Sequence, residues 1–142
     1  MYDLHDFLMP IAVHELNDDK GYTDGHLAKH MSIYEKELPD ITHADIVLVG
    51  VLETRGSGVF DNTLHAADCI RKQLYQLHYW HTDVIIADMG NIKTGATLND
   101  SYAAIRTVLA ELLRLNKTVV ILGGSHDITL AQYFAYKELQ QV

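Results

Sequence analysis

Val119-Val120-Ile121-Leu122 runs directly into Gly123-Gly124, and no other stretch narrows the possible folds as far. Four apolar residues, mostly β-branched and with no polar alternation, suit a strand covered on both faces, as in a parallel sheet. The two glycines let the chain turn sharply out of that sheet. Ser125-His126-Asp127 then opens a helix running through Ile128, Leu130, Ala131, Phe134 and Ala135. Ser125 or Asp127 can accept from the first free N–H groups of that helix. The order strand, turn, helix places His126 at the carboxyl edge of the sheet, where open α/β folds receive their ligands.

The rest of the chain repeats this unit. A strand over Asp45 to Val51 leads into the glycine-rich loop Glu53 to Asn62, and a helix follows from about His65 to Leu77. Its apolar side is expected to be Ala66, Cys69, Ile70, Leu74 and Leu77. A second strand, Val84 to Ala87, closes on Asp88-Met89-Gly90-Asn91. A helix from about Asp100 to Leu115 then turns Ile105, Val108, Leu109, Leu112 and Leu113 inward. Right-handed crossovers make this a parallel sheet with helices on both faces. Before it, residues 1–40 form an irregular leader punctuated by Pro10, Gly21 and Asp24-Gly25, with a short helix expected over about Leu27 to Leu38. Typical sheets have about five or six strands, and three leave two open edges. Residues 41–142 therefore read as the front part of a longer α/β domain, in preference to a complete unit whose edges a partner covers.

Composition excludes several classes. A net charge of −8, with no basic cluster, leaves no footprint for nucleic acid. No apolar run approaches the roughly 20 residues of a membrane span. One cysteine, Cys69, cannot form an internal disulfide, and this fits a cytoplasmic protein.

Four groups of residues can carry chemistry. His126, with Ser125 and Asp127 beside it, reads either as a metal ligand with Asp127 in support or as a locally hydrogen-bonded histidine. The Glu53 to Asn62 loop lies at the same edge and reads as a substrate cradle or as a surface loop; it lacks the Gly-Lys-Ser/Thr of a nucleotide loop. Asp88 would point into the same crevice or cap the turn after its strand. His43-Ala44-Asp45 and His81-Thr82-Asp83 precede strands at the opposite edge and read as polar strand starts. His26 and His30, one helical turn apart on the expected leader helix, have the spacing of a metal pair but no third ligand, and read as solvated.

Leu122-Gly123-Gly124-Ser125-His126-Asp127-Ile128-Thr129 resembles the first metal-ligand segment of the ureohydrolases, the arginase, agmatinase and formimidoylglutamase group. That segment usually reads Gly-Gly-Asp-His-Ser. Val49-Gly50-Val51 with Arg55-Gly56, Ala66 to Arg71, and Ile86 to Asn91 resemble further segments of the same family in the right order. The resemblance implies a three-layer α/β/α sandwich around a parallel sheet, of which roughly the first three strands are here. It also implies hydrolysis of a guanidinium or formimino C–N bond in a small amidine or guanidine substrate, by a hydroxide shared between two Mn²⁺ ions. Only His126 carries over as a metal ligand, with Asp127, Ser125, Asn62 and Asp88 as supporting or substrate-loop candidates. Ser125 stands where the family usually has Asp, and Asp127 where it usually has Ser. The family's Asp-x-His-x-Asp and Asp-x-Asp-x-x-Asp segments are absent and are expected beyond Val142, so the isolated chain is expected to be inactive. The Gly-Gly-Ser-His-Asp variant and the long leader are most similar to the formimidoylglutamase branch; a homo-oligomer is compatible with this reading. The competing readings are a small flavodoxin-like binding module and a non-catalytic scaffold that pairs through its edge strands.

Overall fold

The computed structural model describes residues 3–17, 20–58 and 65–140. Five strands, β1 (Leu8–Met9), β2 (Ser32–Ile33), β3 (Ile46–Val51), β4 (Ile86–Ile92) and β5 (Thr118–Leu122), share one sheet. Three helices, α1 (Ala66–Leu74), α2 (Leu98–Arg114) and α3 (Ile128–Glu138), follow β3, β4 and β5 in turn. The three strands expected from the sequence form its parallel centre, with β3 between β4 and β5. The leader adds the other two along the far side of β4, β2 parallel and β1 antiparallel.

Successive β3 side chains point to opposite faces, and both faces are covered. Val47, Val49 and Val51 join Ile105, Val108, Leu109 and Leu112 of α2 in the larger core. Leu48 joins Ala67 of α1 and Leu122 of β5 on the other side. Two-sided burial is why β3 reads as a continuous apolar run and not as an alternating one. All five residues expected to face inward on α2 are buried. A capping box starts that helix: Thr97 Oγ1 accepts from the Asp100 N–H at 3.2 Å, and Asp100 Oδ2 accepts from the Thr97 N–H at 2.8 Å. Thr97→Ala is therefore expected to cost about 1 kcal/mol, read as a lower urea midpoint with an unchanged slope.

Four expectations need correction. Leu27 to Leu38 is not an α-helix: Leu27–His30 is a 3₁₀ turn, and Ser32–Ile33 pairs with Ala87 and Asp88 of β4. The β-branched and aromatic residues around Met31 to Tyr34 gain more from the sheet than from a helix. β5 is not covered on both sides. It is an edge strand, and Val120 on the α1 face is 40% exposed.

The buried face of α1 centres on Ala67 and Arg71, while Cys69, Ile70 and Leu77 are exposed. The last correction concerns β4, which does not end at Ala87. It continues through Asp88-Met89-Gly90-Asn91, because Gly90 at φ +80° absorbs a register shift against β3 as a bulge, not a turn. An added Cβ at Gly90 would lie 2.1 Å from the Met9 carbonyl oxygen, so the close approach of β1 requires glycine there. No helix among the described residues is long and apolar enough to cross a membrane.

Candidate functional site

The carboxyl ends of β3, β4 and β5 meet at one edge, and the turn after β5 is its most constrained part. Gly123 and Gly124 both adopt left-handed φ, +80° and +79°. A Cβ on Gly123 would come within 2.8 Å of the Ala67 amide nitrogen of α1. A Cβ on Gly124 would come equally close, 2.8 Å, to the Ile128 side chain of α3. The turn is thus wedged between two helix starts, and it presents His126 to solvent. His126 lines an open cleft of ≈270 Å³ together with Ile121, Ser125, Thr129 and Gln132.

The neighbours of His126 hold the turn from either side. The Ser125 N–H and hydroxyl both donate to the Glu53 carbonyl after β3, at 3.0 and 3.3 Å. Asp127 occupies the N-cap position of α3 but makes no capping bond. Its carboxylate accepts from the Tyr102 hydroxyl of α2. Burial pushes the Asp127 carboxyl up, but the polar groups around it, the Tyr102 hydroxyl among them, outweigh this and hold it below its ordinary value. The same bond raises the Tyr102 phenol to about 12.

A second brace crosses the edge from Glu53, whose side chain is 2% exposed. Arg55 donates to it from Nε at 3.0 Å and from Nη2 at 2.6 Å, then reaches the Gly95 and Ala96 carbonyls before α2 at 2.9 Å each. The Arg55 hydrogen bonds hold the Glu53 carboxyl down at about 2.

The family model described as the arginase family matches residues 44–141. The chain belongs to the arginase family.

A solved structure, the formiminoglutamase of Trypanosoma cruzi with Mn²⁺, superposes with a TM-score of 0.57 at 20% sequence identity. The match covers 67% of this chain and 35% of that one, so this chain spans about a third of its length. No curated protein matches significantly. The likeness establishes an arginase-like fold for the described sheet and helices.

Within that arginase-family frame, the candidate residues separate. Ser125, His126 and Asp127 come together on the turn. Asn62 lies outside the described residues. Asp88 does not point into the crevice. It sits mid-strand on β4 at 0% exposure, receives the Arg71 Nε and Nη2 at 2.8 Å each, and accepts from the Tyr75 hydroxyl at 2.8 Å.

His26 and His30 are also taken up locally, by the Thr23 N–H and by the Asp24 carbonyl with a stack on Tyr79. Asp45 behaves as a polar strand start, accepting from the Ile85 N–H at 2.8 Å. Glu53, Arg55 and Tyr102 also belong to this edge, and the sequence does not mark them individually as site residues. Glu53 and Arg55 carried a signal, since both stand in the loop singled out from the sequence; Tyr102 carried none. His65, just before α1, has a buried Nδ1 with no hydrogen-bond partner among the described residues.

The donors among the described residues do not hold a metal pair. Among the described residues no group of three or more His, Cys, Asp or Glu side chains is arranged to bind a metal ion. Asp127 is turned toward Tyr102, and Asp88 is spent on Arg71. His126 is exposed at the cleft.

Proposed function

We propose that this chain supplies the histidine-bearing front part of a hydrolase that cleaves C–N bonds in an amidine or guanidine substrate. A formimidoylglutamase-type activity is preferred over arginase or agmatinase on the Gly-Gly-Ser-His-Asp turn and the leader. The observation that carries the reading is the solvent-facing imidazole of His126 on a wedged glycine turn, at the carboxyl edge of an arginase-family sheet. A pair of Mn²⁺ ions at such an edge would supply a nucleophile at neutral pH and offset charge developing on the substrate. The described residues contribute one donor, the fixed turn and the braced edge around it, and the isolated chain is expected to be inactive. The absence of a basic cluster and the single cysteine support a cytoplasmic protein with a small-molecule substrate and no nucleic-acid partner. One observation favours a scaffold as the second reading: the open β5 edge, which can pair with a second copy or another chain.

The test combines Mn²⁺ titration of the isotopically labelled chain with hydrolysis assays. His126 resonances are expected to broaden before other histidines, His126→Asn to abolish that selectivity, and formiminoglutamate, arginine and agmatine to remain intact. Selective broadening elsewhere would remove His126 from the site, and brisk hydrolysis by the isolated chain would place the chemistry in other residues.

A further inference from the structure

The turn carrying His126 contains two successive left-handed glycines beside an edge strand, so its local sequence leaves it many conformations. Ser125 anchors it on one side only, to the Glu53 carbonyl. On the other side stands Asp127, whose backbone is already helical at φ −64° and ψ −21°. An N-cap residue normally keeps extended dihedrals to reach back to the free amides, and Asp127 forgoes that bond. Its carboxylate instead meets the Tyr102 hydroxyl, 25 residues earlier in the chain. It also rests against Gly56, where an added Cβ would lie 2.0 Å from Oδ2. Two independent features, a phenol on α2 and a missing side chain in the loop after β3, converge on one carboxyl group.

We propose that Asp127, seated between Tyr102 and Gly56, is a latch that fixes the orientation of the Gly123–His126 turn and so aims the His126 imidazole. The latch ties the loop after β5 to α2 and to the loop after β3. Its action is on the backbone of the turn and does not depend on what His126 binds, so the latch and the hydrolase reading fail separately.

Four variants test it by NMR without metal. Asp127→Ala and Tyr102→Phe remove one partner each, and Gly56→Ala displaces the carboxylate while leaving both partners in place. Each is expected to shift the His126 imidazole signals and to speed exchange of the Ser125 amide at least about tenfold, the factor that loss of one charge-assisted hydrogen bond produces. Asp127→Asn retains an acceptor for Tyr102 and is expected to stay within about threefold of the parent on the same scale. Amides of Val47 and Val49 in β3 serve as the control and should not change. Unchanged His126 signals in Asp127→Ala and Tyr102→Phe would overturn the latch. A loss of protection spread evenly through β3 would do the same, since it would make Asp127 a general packing residue. Tyr102→Phe keeps the ring and its packing, so the test survives if Gly56→Ala does not fold.

Discussion

An Arg71→Met chain is expected to lose about 3–5 kcal/mol of folding stability, out of the roughly 5–15 kcal/mol a domain of this size possesses. Arg71 is fully buried, and each guanidinium nitrogen is used. Nε donates to Asp88 Oδ2 at 2.8 Å; Nη1 donates to Asn91 at 2.6 Å and Asp68 at 3.2 Å; Nη2 donates to Asp88 Oδ1 at 2.8 Å and to the Gly90 carbonyl at 2.9 Å. Methionine fills much of the volume and satisfies none of these acceptors. The Asp88 carboxylate would remain buried with only the Tyr75 hydroxyl and the Gly90 N–H to support it. A lysine substitution offers no rescue, because three donors on a point charge cannot reproduce the bidentate grip. The sharper check is a double-mutant cycle. Arg71→Met with Asp88→Leu removes both charges together and should be less destabilised than the sum of the single changes by more than about 1 kcal/mol. Additive losses in urea unfolding would show that the pair is not coupled.

The same arginine shows where reading the sequence stops. A charged residue in an amphipathic helix normally marks its solvated face, and that rule turns Cys69 and Ile70 of α1 inward. What turned it round is Asp88 on β4, 17 residues away, and nothing local announces that partner. Asp88 was itself misplaced for a related reason. Asp-x-Gly ordinarily ends a strand, but a glycine with positive φ serves a bulge as well as a turn, and the choice depends on β1 pairing alongside it. By contrast, α2 and β3 are legible because their burial follows directly from apolar period, and the position of the Gly123-Gly124 turn because two adjacent glycines after an apolar strand mark where the strand stops. At the candidate site the imidazole was legible and its supports were not. Glu53, Arg55, Ser101 and Tyr102 gather from the loop after β3 and the start of α2, and their contacts span 40 or more residues wherever they cross between the two.

Lowering the pH from about 5 to 2 is expected to remove up to about 3 kcal/mol of stability through Glu53 alone. Its carboxyl is drawn down from an ordinary value of 4.5 to about 2, first by the Arg55 hydrogen bond. A carboxylate with a folded pKa below its unfolded one stabilises the native state fully above the unfolded value. That contribution then fades as pH falls through the folded value. The window here is therefore pH 4.5 to about 2. The Arg55 side chain is 28% exposed, so solvent screening brings the realised effect nearer to about 2 kcal/mol. Other carboxylates also titrate in this range, and Glu53→Gln separates them. The variant should be less stable than the parent at neutral pH by roughly this amount, and the two unfolding curves should converge as the pH approaches 2. A gap that stays constant across the window would mean that Glu53 acts through shape and not through charge. The Arg55 bonds to Gly95 and Ala96 would then hold the edge without it.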